Sequence, residues 1–243
     1  MKKIAILLSL IVSANAQYLE FDGTNDYIEA TDNSFPMGSE VRTAAMWIKT
    51  TQTGEKYFFC YGKDDTQYQR WSIGISNGYN LVEFNNASVH SEKIVNDGLW
   101  HHIAASYDGT NMNIYVDGSK ESLSGDINVT FDTKSSGKVL IGDNSDTSVP
   151  AGSYRFKGSI DEVSVFNKAL SADEILELYK SGSELNLISN SGDYVSSSNL
   201  VGYWRFNEGT GTTVGDASSK GNDGTIYGAN WIDGESSFND KGT

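Results

Sequence analysis

Cysteine is almost missing from this sequence: Cys60 stands alone. No intramolecular disulfide can form, so stability has to come from core packing. Histidine is nearly as scarce, with three residues of which His101 and His102 are adjacent, which argues against a histidine-rich zinc site. Basic residues are few as well, 18 Lys and Arg against 32 Asp and Glu, for a net charge of −14. A surface this acidic lacks the basic stripe that phosphate binding requires, so neither nucleic acid nor an anionic membrane is expected as a partner. It fits solubility in salty surroundings, and also the attraction of calcium. After the first residues, no stretch of ~18 apolar residues appears, and no membrane span is expected. The one apolar run, Ile4 to Val12, follows Lys2 and Lys3 and precedes Ala14-Asn15-Ala16, an A-x-A cleavage pattern. Residues 1–16 therefore read as a signal peptide, Gln17 as the mature N-terminus, and the protein as secreted.

What is present is β-rich and turn-rich. Short runs of β-branched and aromatic residues recur between clusters of Gly, Asn, Asp and Ser, with 25 glycines in all. The expected strands are 18–22, 26–30, 41–50, 57–61, 69–75, 79–85, 100–107, 112–116, 138–142, 155–166, 200–206 and 225–231. Many short strands with regular turn signals predict an all-β fold, a two-sheet sandwich or jelly roll. The clearest hairpin runs from Trp100 to Asp117 and turns at Asp108-Gly109, a pair that tolerates positive φ. One helix is expected near 171–180. Ser171 and Glu174 form a capping box, Leu170 and Ile175 a hydrophobic staple, and Gly182 lies at the C-terminal end. Residues 181–199 are rich in Ser, Asn and Gly and read as a linker, and 234–243 as a frayed tail.

Three segments, in order, resemble the laminin G-like, concanavalin A-like jelly rolls of secreted bacterial proteins. They are Leu19-Glu20-Phe21-Asp22-Gly23 with Ala45-Met46-Trp47-Ile48, then Trp100-His101-His102-Ile103-Ala104 with Tyr115-Val116-Asp117-Gly118, and then Lys157-Gly158-Ser159-Ile160-Asp161-Glu162-Val163 with Asn167-Lys168-Ala169-Leu170-Ser171. The resemblance implies one antiparallel sandwich over 17–180 with the short helix at its end. A fourth match is displaced. Residues 200–233, from Leu200-Val201-Gly202-Tyr203-Trp204 to Trp231, look like the family's opening segment but come last. Three arrangements are open: the segment completes its own sandwich, begins a second repeat, or pairs with a neighbouring chain as a device for self-association.

The resemblance also implies that a structural calcium ion ties an early strand to the last one. On that basis Asp22 pairs with Asp161, whose parity with Val163 and Val165 suggests an inward side chain. The loop from Asp216 to Gly224 is a second oxygen-rich candidate, with Asp216 and Asn222 as ligands; it lacks EF-hand spacing. Turn caps that accept backbone hydrogen bonds remain the alternative at both places. Retaining glucanases of this fold place three carboxylates as Glu-x-Asp-x-x-Glu on one strand. Here Glu20-Phe21-Asp22 is followed by Asn25 at the third position, and no Gly-x-Ser-x-Gly elbow occurs. Binding rather than catalysis is therefore expected. Tyr68, Trp71 and Tyr79, with Asp143 and Asp146 of a polar loop, are the candidate ligand contacts, core packing being the alternative for the aromatic residues. The expected partner is a glycan or a surface protein.

Overall fold

A computed structural model describes residues 17–63, 69–83, 87–125, 130–144, 150–182 and 185–234. The proposed signal peptide, Tyr68, Asp146 and residues 235–243 lie outside them. Two antiparallel sheets face each other. Strands are numbered in chain order. The first sheet holds β1 (Gln17–Asp22), β3 (Arg42–Lys49), β8 (Trp100–Tyr107), β9 (Met112–Val116), β10 (Ser119–Lys120), β13 (Lys157–Phe166), β14 (Leu200–Trp204) and β17 (Asn230–Asp233). The second holds β2 (Tyr27–Ala30), β4 (Lys56–Gly62), β5 (Arg70–Ser76), β6 (Tyr79–Glu83), β7 (Ser88–Ile94), β11 (Leu123–Gly125), β12 (Val139–Ile141), β15 (Thr213–Val214) and β16 (Gly224–Tyr227). Their orders are β10-β9-β8-β3-β13-β1-β17 and β11-β7-β6-β5-β4-β12-β2-β16-β15. This is the all-β, concanavalin A-like jelly-roll sandwich that the sequence implies.

Period-2 alternation builds the core. Leu19 and Phe21, Met46 and Ile48, and Ile103 and Ala105 point inward from the first sheet. They meet Ile28, Phe59, Tyr61, Trp71, Ile73 and Ile75 from the second. One charge is buried among them. Arg42 donates to the Tyr61 hydroxyl at 2.8 Å, Thr133 Oγ1 at 2.9 Å and the carbonyls of Gly38 and Glu40 at 2.8 and 2.9 Å. A buried guanidinium is tolerable only when its donors are paired in this way.

A third layer covers part of the first sheet's outer face. Helix α1 (Ala172–Ser181) starts at the Ser171–Glu174 capping box and ends at Gly182, with φ 53°. Its Ile175 and Leu178 join Leu170, Ala45, Ala104, Phe166 and Tyr203 in a second apolar cluster. The segment that reads as a linker contributes Leu185, Leu187 and Tyr194 to that cluster, so apolar anchors fix it despite its polar composition. After it, β14 pairs with β13, β16 with β2 and β17 with β1, so the carboxy-terminal strands add to both sheets of their own chain. Among the described residues no helix is long and apolar enough to cross a membrane.

Candidate binding cleft

The helical layer leaves the other end of the first sheet's outer face bare. There Glu20 of β1 lies opposite Asn230 of β17 on one side and Ser159 of β13 on the other. Ser159 lies opposite Lys49 of β3, which lies opposite Trp100 of β8. Two residues along, Asp22 lies opposite Lys157. Directly opposed residues share a face. Their neighbours Leu19, Phe21, Ile48 and Ile160 fill the core, so this row points away from it. Glu20, Asp22, Lys49, Lys157, Ser159 and Asn230, with Thr50, Gly98 and Gly158, line a cleft of about 390 Å³. Small-molecule sites occupy roughly 300–1,000 Å³.

The floor requires glycine. Gly158 has φ 145°, and a Cβ there would come within 2.3 Å of the Lys49 carbonyl. The rim is tied down by Thr50 Oγ1 donating to the Lys157 carbonyl at 2.7 Å, and by the Gly98 amide donating to the Thr50 carbonyl at 2.9 Å. Beside the cleft, Tyr18 and Trp100 pack edge to face, centroids 5.3 Å apart. Burial raises the Tyr18 phenol above its usual range, and the Glu20 and Asp161 charges add to that. Five of the cleft's polar side chains are uncommitted. The Glu20 carboxylate, the Lys49 and Lys157 ammoniums, the Ser159 hydroxyl and the Asn230 amide make no hydrogen bond or ion pair with another described residue.

Of the sequence candidates among the described residues, only Asp22 reaches this cleft, and its Oδ1 also accepts from the Thr24 amide at 2.6 Å. Asp161 does not join it. Asp22 sits opposite Lys157, four residues along β13, which is about 13 Å of strand. The parity reading of Asp161 also fails. The β13–β3 register shifts between Asp161 and Ser164, and Glu162 takes φ 50°. The bulge lets Ile160 and Val163 both enter the core, while Asp161, opposite Trp47, turns to the outer face. Burial, and then the Glu162 charge, push the Asp161 carboxyl well above its usual range. Burial also raises Glu162 to about 7, against the pull of the Tyr203 hydroxyl and Arg205.

Asp216 and Asn222 do meet, but their oxygens are already used. Asp216 accepts from the Tyr203, Ser218 and Asn222 amides at 2.9, 2.9 and 3.0 Å, and from Ser218 Oγ at 2.8 Å. Fully buried Asn222 takes Thr31 Oγ1 and the Asn33 amide on its Oδ1, and its Nδ2 donates to the Asn33 and Val201 carbonyls. A donor-saturated pair does not fit a cation. Among the described residues no group of three or more His, Cys, Asp or Glu side chains is placed to hold a metal ion.

The aromatic candidates among the described residues do not converge either. Trp71 is fully buried between the sheets, edge-on to Tyr61 at 5.7 Å, and belongs to the core. Tyr79 is exposed, on the other sheet. Asp143 is buried, accepting from Arg155 Nε at 3.0 Å. Sequence reasoning missed Tyr18, Lys49, Trp100, Lys157, Ser159 and Asn230. The available signal was the alternation of Leu19-Glu20-Phe21-Asp22, which turns Glu20 outward.

The sandwich resembles solved structures. A protein of Bacteroides ovatus described as carbohydrate-binding superposes with a TM-score of 0.66 at 19% identity, over 90% of this chain and 60% of that one. The chain thus spans less than two thirds of that protein. A heptameric SAP-like pentraxin from Limulus polyphemus gives 0.55 at 16% identity, over 69% of this chain and 83% of the other. The CBM40 of a Ruminococcus gnavus IT-sialidase gives 0.52 at 18%, over 67% and 97%. At these identities the likeness is one of fold. No curated protein matches the chain by sequence. The model of the concanavalin A-like lectin/glucanases superfamily, laminin G type, matches residues 22–176, and the chain belongs to that family.

Proposed function

We propose that this protein is a secreted, noncatalytic binding module that holds a glycan in the cleft on the first sheet. The observation that carries this reading is the set of uncommitted polar groups around the cleft, next to the Tyr18–Trp100 pair. Sugar hydroxyls donate and accept. A carboxylate accepts, an ammonium donates, and a serine hydroxyl or an asparagine amide does both. The aromatic pair adds apolar contact area at low entropic cost, as aromatic anchors do in other binding surfaces. The carbohydrate-binding descriptions of the Bacteroides and Ruminococcus proteins support the same class of ligand. A glucanase reading lacks its third carboxylate, because Asn25 stands where the pattern needs Glu.

A glycan array, read with and without a calcium chelator, tests both the ligand class and the metal expectation. Retention of a glycan is expected, with Trp100→Ala weakening it about tenfold, the effect of losing an aromatic anchor. No retained glycan, or unchanged affinity in Trp100→Ala, overturns the proposal. Capture of surface proteins without any glycan shifts the partner to protein. Export predicts that protein recovered from the medium begins at Gln17.

A further inference from the structure

We infer that His101 is a positioning residue of this cleft: held between Asp97 and Asp117, it fixes the loop that supplies the Gly98 wall and releases it on losing a proton. The consequence for affinity rests on the glycan reading above; the movement of the loop does not.

The loop 95–99 joins β7 to β8. His101, at the start of β8, has its Nδ1 2.9 Å from Asp117 Oδ2 and its Nε2 3.1 Å from Asp97 Oδ1. Both ring nitrogens therefore face carboxylates. Donating to both needs a proton on each, which is the imidazolium. The two carboxylates are not equally anchored. Asp117 also accepts from Lys93 Nζ at 2.8 Å and from the His102 amide at 3.0 Å. Asp97 is more exposed, 44% against 17%, and has one other donor, the Leu99 amide at 2.8 Å within its own loop. When the ring is neutral, its single N–H stays with the better-anchored Asp117. The Nε2 lone pair then faces the Asp97 carboxylate, which is repulsive, and Asp97 is the partner that leaves.

The loop has further ties. Asn96 Nδ2 donates to the Gln52 carbonyl at 3.0 Å and the Gly98 amide to Thr50, so the wall shifts rather than unfolds. The charged surroundings are few. Lys93 comes from β7, Glu121 lies near Lys93 and Asp117, Glu92 lies near Glu121, and Tyr179 of α1 lies near Asp117 and Lys93. Opposite His101 on β3 is uncharged Ile48. Burial alone pushes His101 down, but the hydrogen bonds and charges of Asp117 and Asp97 outweigh it and hold the ring above the usual histidine value. Buried His102 is pushed down to about 4, and Asp117 is held at about 2. Neither changes charge where His101 does.

The test follows the full chain across about pH 5.5 to 8.5, the range in which a histidine titrates. Without ligand, the His101 ring, the Gly98 and Leu99 amides and the Trp100 emission are recorded for wild type, Asp97→Asn and His101→Gln. In wild type, the amides and the emission are expected to follow the ring's midpoint. In Asp97→Asn the ring titrates at lower pH and the loop signals no longer follow it; in His101→Gln the loop signals are flat. Glycan affinity is expected to fall about three- to tenfold through the wild-type midpoint and to be flat in Asp97→Asn, a coupling of ordinary allosteric size. Loop signals that stay flat while the wild-type ring titrates, or that titrate unchanged in Asp97→Asn, overturn the inference. Loop titration without glycan binding at any pH upholds the positioning role and removes the glycan reading.

Discussion

Replacing Asn222 separates a hydrogen-bonded pin from a metal ligand. Its amide is fully buried and joins the 221–224 turn to Thr31, Asn33 and Val201, from β14 and the chain after β2. In Asn222→Ala the Val201 carbonyl is left unpaired in a buried setting, at a cost of about 1–3 kcal/mol. The Asn33 and Thr31 groups are part-buried and regain some water, so each adds about 0.5–1 kcal/mol. A total of about 2–5 kcal/mol lowers Tm by about 4–20 °C in a chain of this size. Asn222→Asp discriminates further. The pin loses two donors and turns a carboxylate toward two carbonyls, so the loss at neutral pH should match or exceed that of alanine and shrink on acidification. A calcium site would behave in the opposite way, since a carboxylate is the better oxygen ligand. Calorimetry or circular dichroism, with calcium and with chelator, reads both variants. An Asn222→Asp protein as stable as wild type and further stabilised by calcium would refute the pin.

Three other outcomes follow from the same contacts. Removing residues 200–243 uncovers pairing edges of β13, β1 and β2, and this chain is expected to aggregate without a cooperative melt while the full chain runs as a monomer in light scattering; a truncated monomer that melts cooperatively counts against this. Ser171→Ala removes the bond that Ser171 Oγ accepts from the Glu174 amide, costing about 1 kcal/mol, or about 2–4 °C in Tm; an unchanged Tm refutes it. Because His101 is held above its ordinary value of 6.5, its contribution is complete below that value and is lost as pH rises through the folded one. Glu162, raised to about 7, and His102, lowered to about 4, pull in opposite directions and do so alike in both proteins. Wild type should therefore lose its stability advantage over His101→Gln between mildly acidic and mildly alkaline pH, and a constant difference in Tm contradicts this.

Much of the fold is legible because local signals agree. The Ser171–Glu174 box, the Asp-Gly turn at 108–109 and the inward alternation of Trp71-Ser72-Ile73-Gly74-Ile75 each name their element. That last alternation also places Trp71 in the core, where its aromatic ring attracted a ligand reading. β7 was illegible for the converse reason. Its residues Ser88-Val89-His90-Ser91-Glu92-Lys93-Ile94 alternate, but only Val89 and Ser91 are buried, so the apolar contrast is almost absent. Asp161 was misread because one bulge residue reverses parity, and a parity argument cannot see a bulge whose cause is a partner strand.

The cleft was harder to read because no linear motif encodes it. Its residues come from β1, β3, β13 and β17, and adjoin only through register across those strands. A second cause lies in β3. From Arg42 to Ile48 every residue is buried, because the core takes one face, and Ala45 and Trp47 on the other are covered by α1 and the 185–203 segment. Alternation disappears in a strand covered on both faces, so nothing in Arg42-Thr43-Ala44-Ala45-Met46-Trp47-Ile48 says which side is outward. It returns at Lys49, the first exposed residue of the strand, where the helical cover ends. The site therefore begins where the third layer stops. Tyr179, stacked on Trp47 with centroids 5.7 Å apart, and the helix end at Gly182 set the limit of that layer on this side. They thereby decide which part of a sheet with two apolar faces is left to water and to a ligand.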